Sequence, residues 1–189
     1  MAIYGEMTWK NEDGKYMVAR STKIKATDCG HLYDLVDAAA DVEQGCNIKV
    51  GDYTGNGLQE RKVETPAEGD AIAFVCSVPL IYESYRTSDQ FEWKFVNVKG
   101  KDFRAYEIVK DDVFGVSDYG FTTILDSQKG VEVGHYVVVD GNRKWKEVKA
   151  APDEKQYGFI GKVIGYEKYQ YDTIVLIHVL KNETVTAGE

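Results

Sequence analysis

Cys29, Gly30 and His31 form the first group in this chain whose side chains could hold a metal, since thiolate and imidazole are both zinc ligands. A structural zinc site needs four ligands in recognisable pairs, and Cys46 alone does not complete this one. Residues 51–57, GDYTGNG, are rich enough in glycine to cradle a phosphate. Leu58 and Gln59 follow, however, where a phosphate loop carries Lys and then Ser or Thr. Residues 115–120, GVSDYG, place Ser117 between glycines, one residue too long for the G-x-S-x-G elbow of a large hydrolase class and with no helical pattern behind it. His31, His135 and His178 are far apart, and the last two fall in apolar strand patterns where a hydrogen-bonded structural imidazole is expected. The carboxylates stand singly in turns or on the wetter strand faces, with no pair set apart for acid-base work. The expectation is a protein without enzymatic activity that needs no metal and no organic cofactor.

What remains is recognition by surface. Thirteen tyrosines and three tryptophans are many for 189 residues, and such rings suit sheet faces and protein interfaces. Tyr82, Tyr85, Tyr166, Tyr169 and Tyr171 sit at strand ends among charged residues, where a half-exposed ring can anchor a partner. Ile3, Tyr4 and Trp9 lie on or beside a terminal arm too short to bury them locally, and such an arm gains contact area by ordering on a partner. These eight residues are the interface candidates. A net charge of −8 removes the electrostatic footprint of a nucleic-acid binder. No stretch approaches membrane-spanning length and no basic-then-apolar leader opens the chain, so neither nucleic acid nor membrane is an expected partner. Three cysteines, Cys29, Cys46 and Cys76, are an odd count without close pairing and fit reduced thiols in a cytosolic setting.

The elements that would carry these residues are mostly strands. Residues 103–121, FRAYEIVKDDVFGVSDYGF, read as strand, acidic turn, strand and glycine stop: Arg104, Tyr106, Ile108 and Lys110 alternate with Ala105, Glu107 and Val109, Asp111-Asp112 breaks the pattern, and Val113 starts again. The stretch therefore folds back or turns a barrel corner. Residues 7–19 form a hairpin around the Asp13-Gly14 step. Residues 71–78 are a buried strand ended by Pro79, 131–140 a strand closed by Asp140-Gly141-Asn142, and 157–166 and 173–180 the last two strong strands. One segment breaks period. Leu32, Leu35, Val36 and Ala39 fall at i, i+3, i+4 and i+7, which predicts a short helix within 28–45, centred on 32–40, with Asp28 as cap and Gly45 as stop.

Two parts of the chain share an order of features. Val42-Glu43-Gln44-Gly45 with Ile48 and Val50 matches Val131-Glu132-Val133-Gly134 with Val137 and Val139. Downstream, Val63, Pro66, Glu68, Phe74-Val75 and Tyr82-Glu83-Ser84-Tyr85 match Val148, Pro152, Glu154, Phe159-Ile160 and Tyr166-Glu167-Lys168-Tyr169. A repeat of about 85–90 residues implies two related β units rather than a solenoid, whose period is shorter. The expected organisation is mostly β: an arm and hairpin at 1–27, a first barrel- or sandwich-like unit with the short helix at 28–100, and a second such unit at 101–189, related by internal duplication and joined through 88–103.

The segments PLIYESYR at 79–86, FRAYEI at 103–108 and DDVFGVS at 111–117, with the VEQG and VEVG strand starts and the closing FIGKVIG and TIVLIHV, resemble structural proteins of tailed bacteriophages, closest to capsid decoration or cement proteins. The likeness spans roughly residues 41–182. It implies a non-enzymatic, mostly-β protein made in the host bacterial cytoplasm. Such a protein ends on the outer surface of the virion capsid, binds the major capsid protein and holds neighbouring subunits together, with self-association into a homo-oligomer a further option. The alternatives are a tail or connector component of the virion and, from another class, a small-molecule or saccharide-binding β-barrel module.

Overall fold

The computed structural model describes residues 16–56, 59–78, 92–125, 130–169 and 172–185. Five strands, β2 (Leu32–Val36), β4 (Asn47–Tyr53), β5 (Arg61–Glu64), β6 (Ala73–Val75) and β8 (Asp102–Glu107), close into a barrel in the order β2-β5-β4-β6-β8. Seven more make a second sheet: β1 (Ala19–Lys23), β9 (Val113–Ser117), β10 (Phe121–Thr123), β11 (Tyr136–Val139), β12 (Trp145–Val148), β13 (Phe159–Tyr169) and β14 (Asp172–Asn182). Their order is β1-β9-β14-β13-β11-β12-β10. A short pair, β3 (Val42–Glu43) with β7 (Val96–Asn97), stands apart. The chain is therefore mostly β, with a closed barrel and additional sheets, and no described helix is long and apolar enough to cross a membrane.

The stretch 103–121 is the crossing between the two systems. In β8, Phe103 and Ala105 are buried and Arg104 is exposed, as alternation requires of a barrel strand. Asp111 then takes a positive φ of 74°, and the buried Asp112 carboxylate accepts the N–H groups of Lys25 and Val109 at 2.9 and 2.8 Å. Those bonds hold the corner from which β9 leaves for the second sheet. Because β8 covers the free edges of both β2 and β6, the barrel takes its closing strand from beyond residue 100, while β1, from the segment before residue 28, pairs with β9. The hairpin turn expected at 11–14 lies outside the described residues.

The helix expected at 32–40 is corrected. The one described α-helix, α1, is the four-residue Ala26–Cys29, and Leu32–Val36 is strand β2, paired antiparallel with β8 from Leu32↔Tyr106 to Val36↔Asp102 and parallel with β5 at Leu35↔Arg61. Only Leu35 of the helical stripe is fully buried, whereas Leu32 is 44% exposed. Leu-Tyr-Asp-Leu-Val fits a period of two as well as one of 3.6, and two ladders outweigh an isolated helix that would be marginal at this length. Helix continuation is also blocked downstream, where Asp37 Oδ1 accepts the N–H groups of Ala39 and Ala40 at 2.8 and 3.1 Å in a local turn.

The two halves share a strand plan. In the barrel β4 pairs antiparallel with β5 and β6, β6 with β8, and β2 runs parallel to β5. In the second sheet β11 pairs antiparallel with β12 and β13, β13 with β14, and β10 runs parallel to β12. The matched glycines make the same bridge: Gly45 N–H donates to Val75 and Val75 N–H to Cys46, while Gly134 N–H donates to Val163 and Val163 N–H to His135. Gly45 and Gly134 hold φ of 76° and 91°, a conformation that costs side-chain-bearing residues strain. Val75 thus corresponds in space to Val163, not to the Ile160 that the order of sequence features pairs with it.

One core joins the halves. Phe74 of the barrel lies 4.5 Å from Phe114 between ring centroids, and Phe114, Trp145 and Phe159 of the second sheet stack on at 5.2–6.2 Å. The β11–β12 turn docks on the barrel through Asn47 N–H to Arg143 O, Asn47 Nδ2 to Lys144 O and Trp145 Nε1 to Gly45 O. Arg143 Nη1 also lies 2.5 Å from Oδ2 of Asp37. Burial raises the Asp37 carboxyl pKa, but the Ala39 and Ala40 amides and the Arg143 guanidinium outweigh it and hold the group below its ordinary 3.8. A carboxyl depressed on folding contributes stability that is present above the unfolded value and lost as pH falls through the folded one. Asp37→Asn is therefore expected to lower stability by about 1.5–3 kcal/mol near neutral pH. The gap to the parent should narrow below about pH 4, as urea unfolding at pH 7 and pH 3 would show.

Candidate protein interface

A loop leaving a sheet carries backbone N–H groups that need acceptors, and between β10 and β11 one side chain accepts two of them, at Leu125 and Glu132. Glu147 projects from β12, wholly buried, and its Oε2 accepts the N–H of Leu125 while Oε1 accepts that of Glu132, both at 2.8 Å. His135 Nδ1 stands 2.7 Å from the same Oε1, and its Nε2 lies 3.4 Å from the Glu132 carboxylate. Val131 plugs the core at 2% exposure, its carbonyl accepting the Tyr166 hydroxyl from β13. Gly134 N–H closes the arrangement on Val163 O at 2.9 Å.

Four large exposed apolar residues lie on or next to the segments that these bonds tie together. Leu125 and Val133 flank the held loop and are 52% and 54% exposed; Ile164 and Tyr166 follow Val163 on β13, each 47% exposed. Single exposed apolar residues are ordinary, but half of the large exposed hydrophobics in the described residues fall here, two beside the amides that Glu147 holds and two on β13. Ile164 faces out because β13 bulges there: Val163 pairs with Ile177 and Gly165 with Leu176, leaving Ile164 as the extra residue.

Of the interface candidates read from sequence, Tyr166 is one of these four. Tyr169 ends β13 opposite Asp172, while Ile3, Tyr4, Trp9, Tyr82, Tyr85 and Tyr171 lie outside the described residues. Leu125, Val133 and Ile164 were missed, since apolar residues next to strand runs read as core. Only the bulge and the Glu147 bonds turn them outward. The residues weighed for chemistry are occupied otherwise. Ser117 is buried with its Oγ accepting Val18 N–H at 3.0 Å, and burial beside Glu43 pushes the Cys46 thiol up to about 12, far from a reactive thiolate. No group of three or more His, Cys, Asp or Glu among the described residues is placed to hold a metal. Compared with known proteins, the chain matches no family, no curated protein and no solved structure.

Proposed function

We propose that this chain is a virion structural protein, a capsid decoration or cement protein that seats on the outer surface of a phage head and strengthens contacts between major capsid subunits. The observation that carries the reading is the exposure of Leu125, Val133, Ile164 and Tyr166 on segments tied together through Glu147, Val131 and Gly134, in a fold whose core is already filled. Glu147 already satisfies the amides of Leu125 and Glu132, so a partner that covers these two does not strand them. The sequence resemblance to phage decoration proteins supplies the partner. A protein that binds only the assembled shell stabilises it by mass action, without chemistry. The shared strand plan and the matched Gly45 and Gly134 bridges support an internal duplication behind the two halves.

The test is co-sedimentation with emptied heads of the phage that encodes it. The parent protein is expected in the pellet, and a Val133→Asp, Ile164→Asp double variant is expected to lose about tenfold or more in affinity, since tenfold is about 1.4 kcal/mol and each change drives a charge into an apolar contact. Both positions are exposed, so the melting temperature should hardly move. Absence of the parent from the pellet, or equal binding by the variant, overturns the assignment. Negative-stain images that place the protein on tails instead of shells favour a tail or connector role.

A further inference from the structure

We propose that the mouth of the five-stranded barrel is a binding groove for neutral oligosaccharides. The barrel interior is closed to ligands, because Leu35, Ile48 and Phe74 fill it at zero exposure. Its mouth instead opens into a cleft of about 340 Å³, of the size that holds small organic ligands, to which every barrel strand contributes: Tyr33 from β2, Lys49 from β4, Arg61 from β5, Ala73 from β6 and Glu107 from β8.

A row of flat side chains starts in this cleft, with Tyr33 and Arg61, and continues past its lining to His31 and Tyr53. His31 meets Tyr33 edge-on with ring centroids 5.3 Å apart, the Arg61 guanidinium carbon lies 5.9 Å from the Tyr33 centroid, and it lies 5.1 Å from that of Tyr53. Register builds the row: Tyr53 faces Arg61 across the β4–β5 ladder, and β5 runs beside β2. Arg61 is held in place by its Nε bond to Gly51 O at 2.8 Å, and Tyr53 is left 64% exposed. Arg61 covers one face of each tyrosine, and the exposed Tyr53 offers its other face to a sugar ring laid across the edge of the cleft.

The charges choose among flat ligands. Lys49 stands 3.0 Å from Asp70 and 3.8 Å from Glu64, and Glu107 shares the cleft with Arg61 while accepting His31 N–H at 3.2 Å. With cations and carboxylates mixed in one wall, a ligand of either charge meets its like. A neutral polyol can instead donate to Glu107 and accept from Lys49 and Arg61. A plugged mouth also excludes ligands that must enter end-on and favours ones that lie across it. This site is distant in sequence from the residues assigned to the shell and is independent of that reading.

Probing the full chain on an array of neutral and acidic glycans, followed by calorimetric titration of each glycan retained, tests the proposal. Neutral oligosaccharides are expected to bind saturably in the micromolar to millimolar range, with Arg61→Ala and Tyr53→Ala each weakening them by about tenfold or more. Tyr53 is exposed enough that Tyr53→Ala keeps the fold, which its melting curve would verify. Retention of no neutral glycan, retention of acidic glycans alone, or binding that both variants leave unchanged overturns it.

Discussion

Trp145→Ala is expected to lower the unfolding free energy by about 3–5 kcal/mol, which for a chain of this length moves the melting temperature down by about 10 °C. Trp145 is wholly buried, and its ring lies 5.3 Å from Phe114 and 5.2 Å from Phe159, beside the Phe74 that the barrel sends into the same cluster. The loss has two parts. Removing the indole leaves a cavity that the surrounding rings, fixed by three different strands, refill only in part. It also removes the Nε1 donor from the Gly45 carbonyl at 2.8 Å, one of the bonds by which the second sheet grips the barrel. Trp145→Phe separates the parts, keeping much of the volume and losing the bond, and should cost about 1–3 kcal/mol. Urea denaturation followed by circular dichroism measures both. A single transition that moves as a whole is expected, because the core is shared; independent melting of barrel and sheet would refute that coupling.

Glu147→Ala comes second. The carboxylate serves the N–H groups of Leu125 and Glu132 and faces Nδ1 of His135, so alanine leaves three part-buried polar groups without this partner, at up to about 1–3 kcal/mol each. A net loss of about 3 kcal/mol or more is expected after some of them find water. Glu147→Gln keeps the shape and one acceptor but turns an amide donor toward a donor, and should fall between parent and alanine. Under the proposed function the site links stability to recognition, since the two amide bonds fix the backbone at Leu125 and next to Val133. Glu147→Gln, at a temperature where it is folded, should therefore bind shells more weakly than the parent while Asp37→Asn, whose partners are Ala39, Ala40 and Arg143, should not. Faster amide exchange at Leu125 and Glu132 in Glu147→Gln would report the released loop directly.

Much of the architecture was legible residue by residue. The alternation in 103–110, the apolar run at 71–78 and the strand read at 131–140 became β8, β6 and β11, although β6 is only Ala73–Val75 and β11 only Tyr136–Val139, with residues 131–135 outside the strand. Side-chain alternation and turn chemistry act between near neighbours, so a linear pattern reports them. Residues 32–36 show where that ends: the segment satisfies two periods, and the choice fell to β5 and β8, which meet it from far along the chain.

The sequence by itself determined the β class, the turns, the acidic balance and most of the residues that go inside. Only the tertiary structure decided which strands close the barrel, that Val75 answers to Val163, and which side chains stand together at the surface. Leu125 stands beside a backbone amide held by the buried Glu147 and Ile164 is the extra residue of a β-bulge, and Tyr33, Arg61 and Tyr53 form a row because three strands pair in one register. The physical reason is that burial and local conformation depend on each residue and its nearest neighbours. Strand partnering depends on loop closure, edge coverage and the fit of a common core, which no short window of the chain contains.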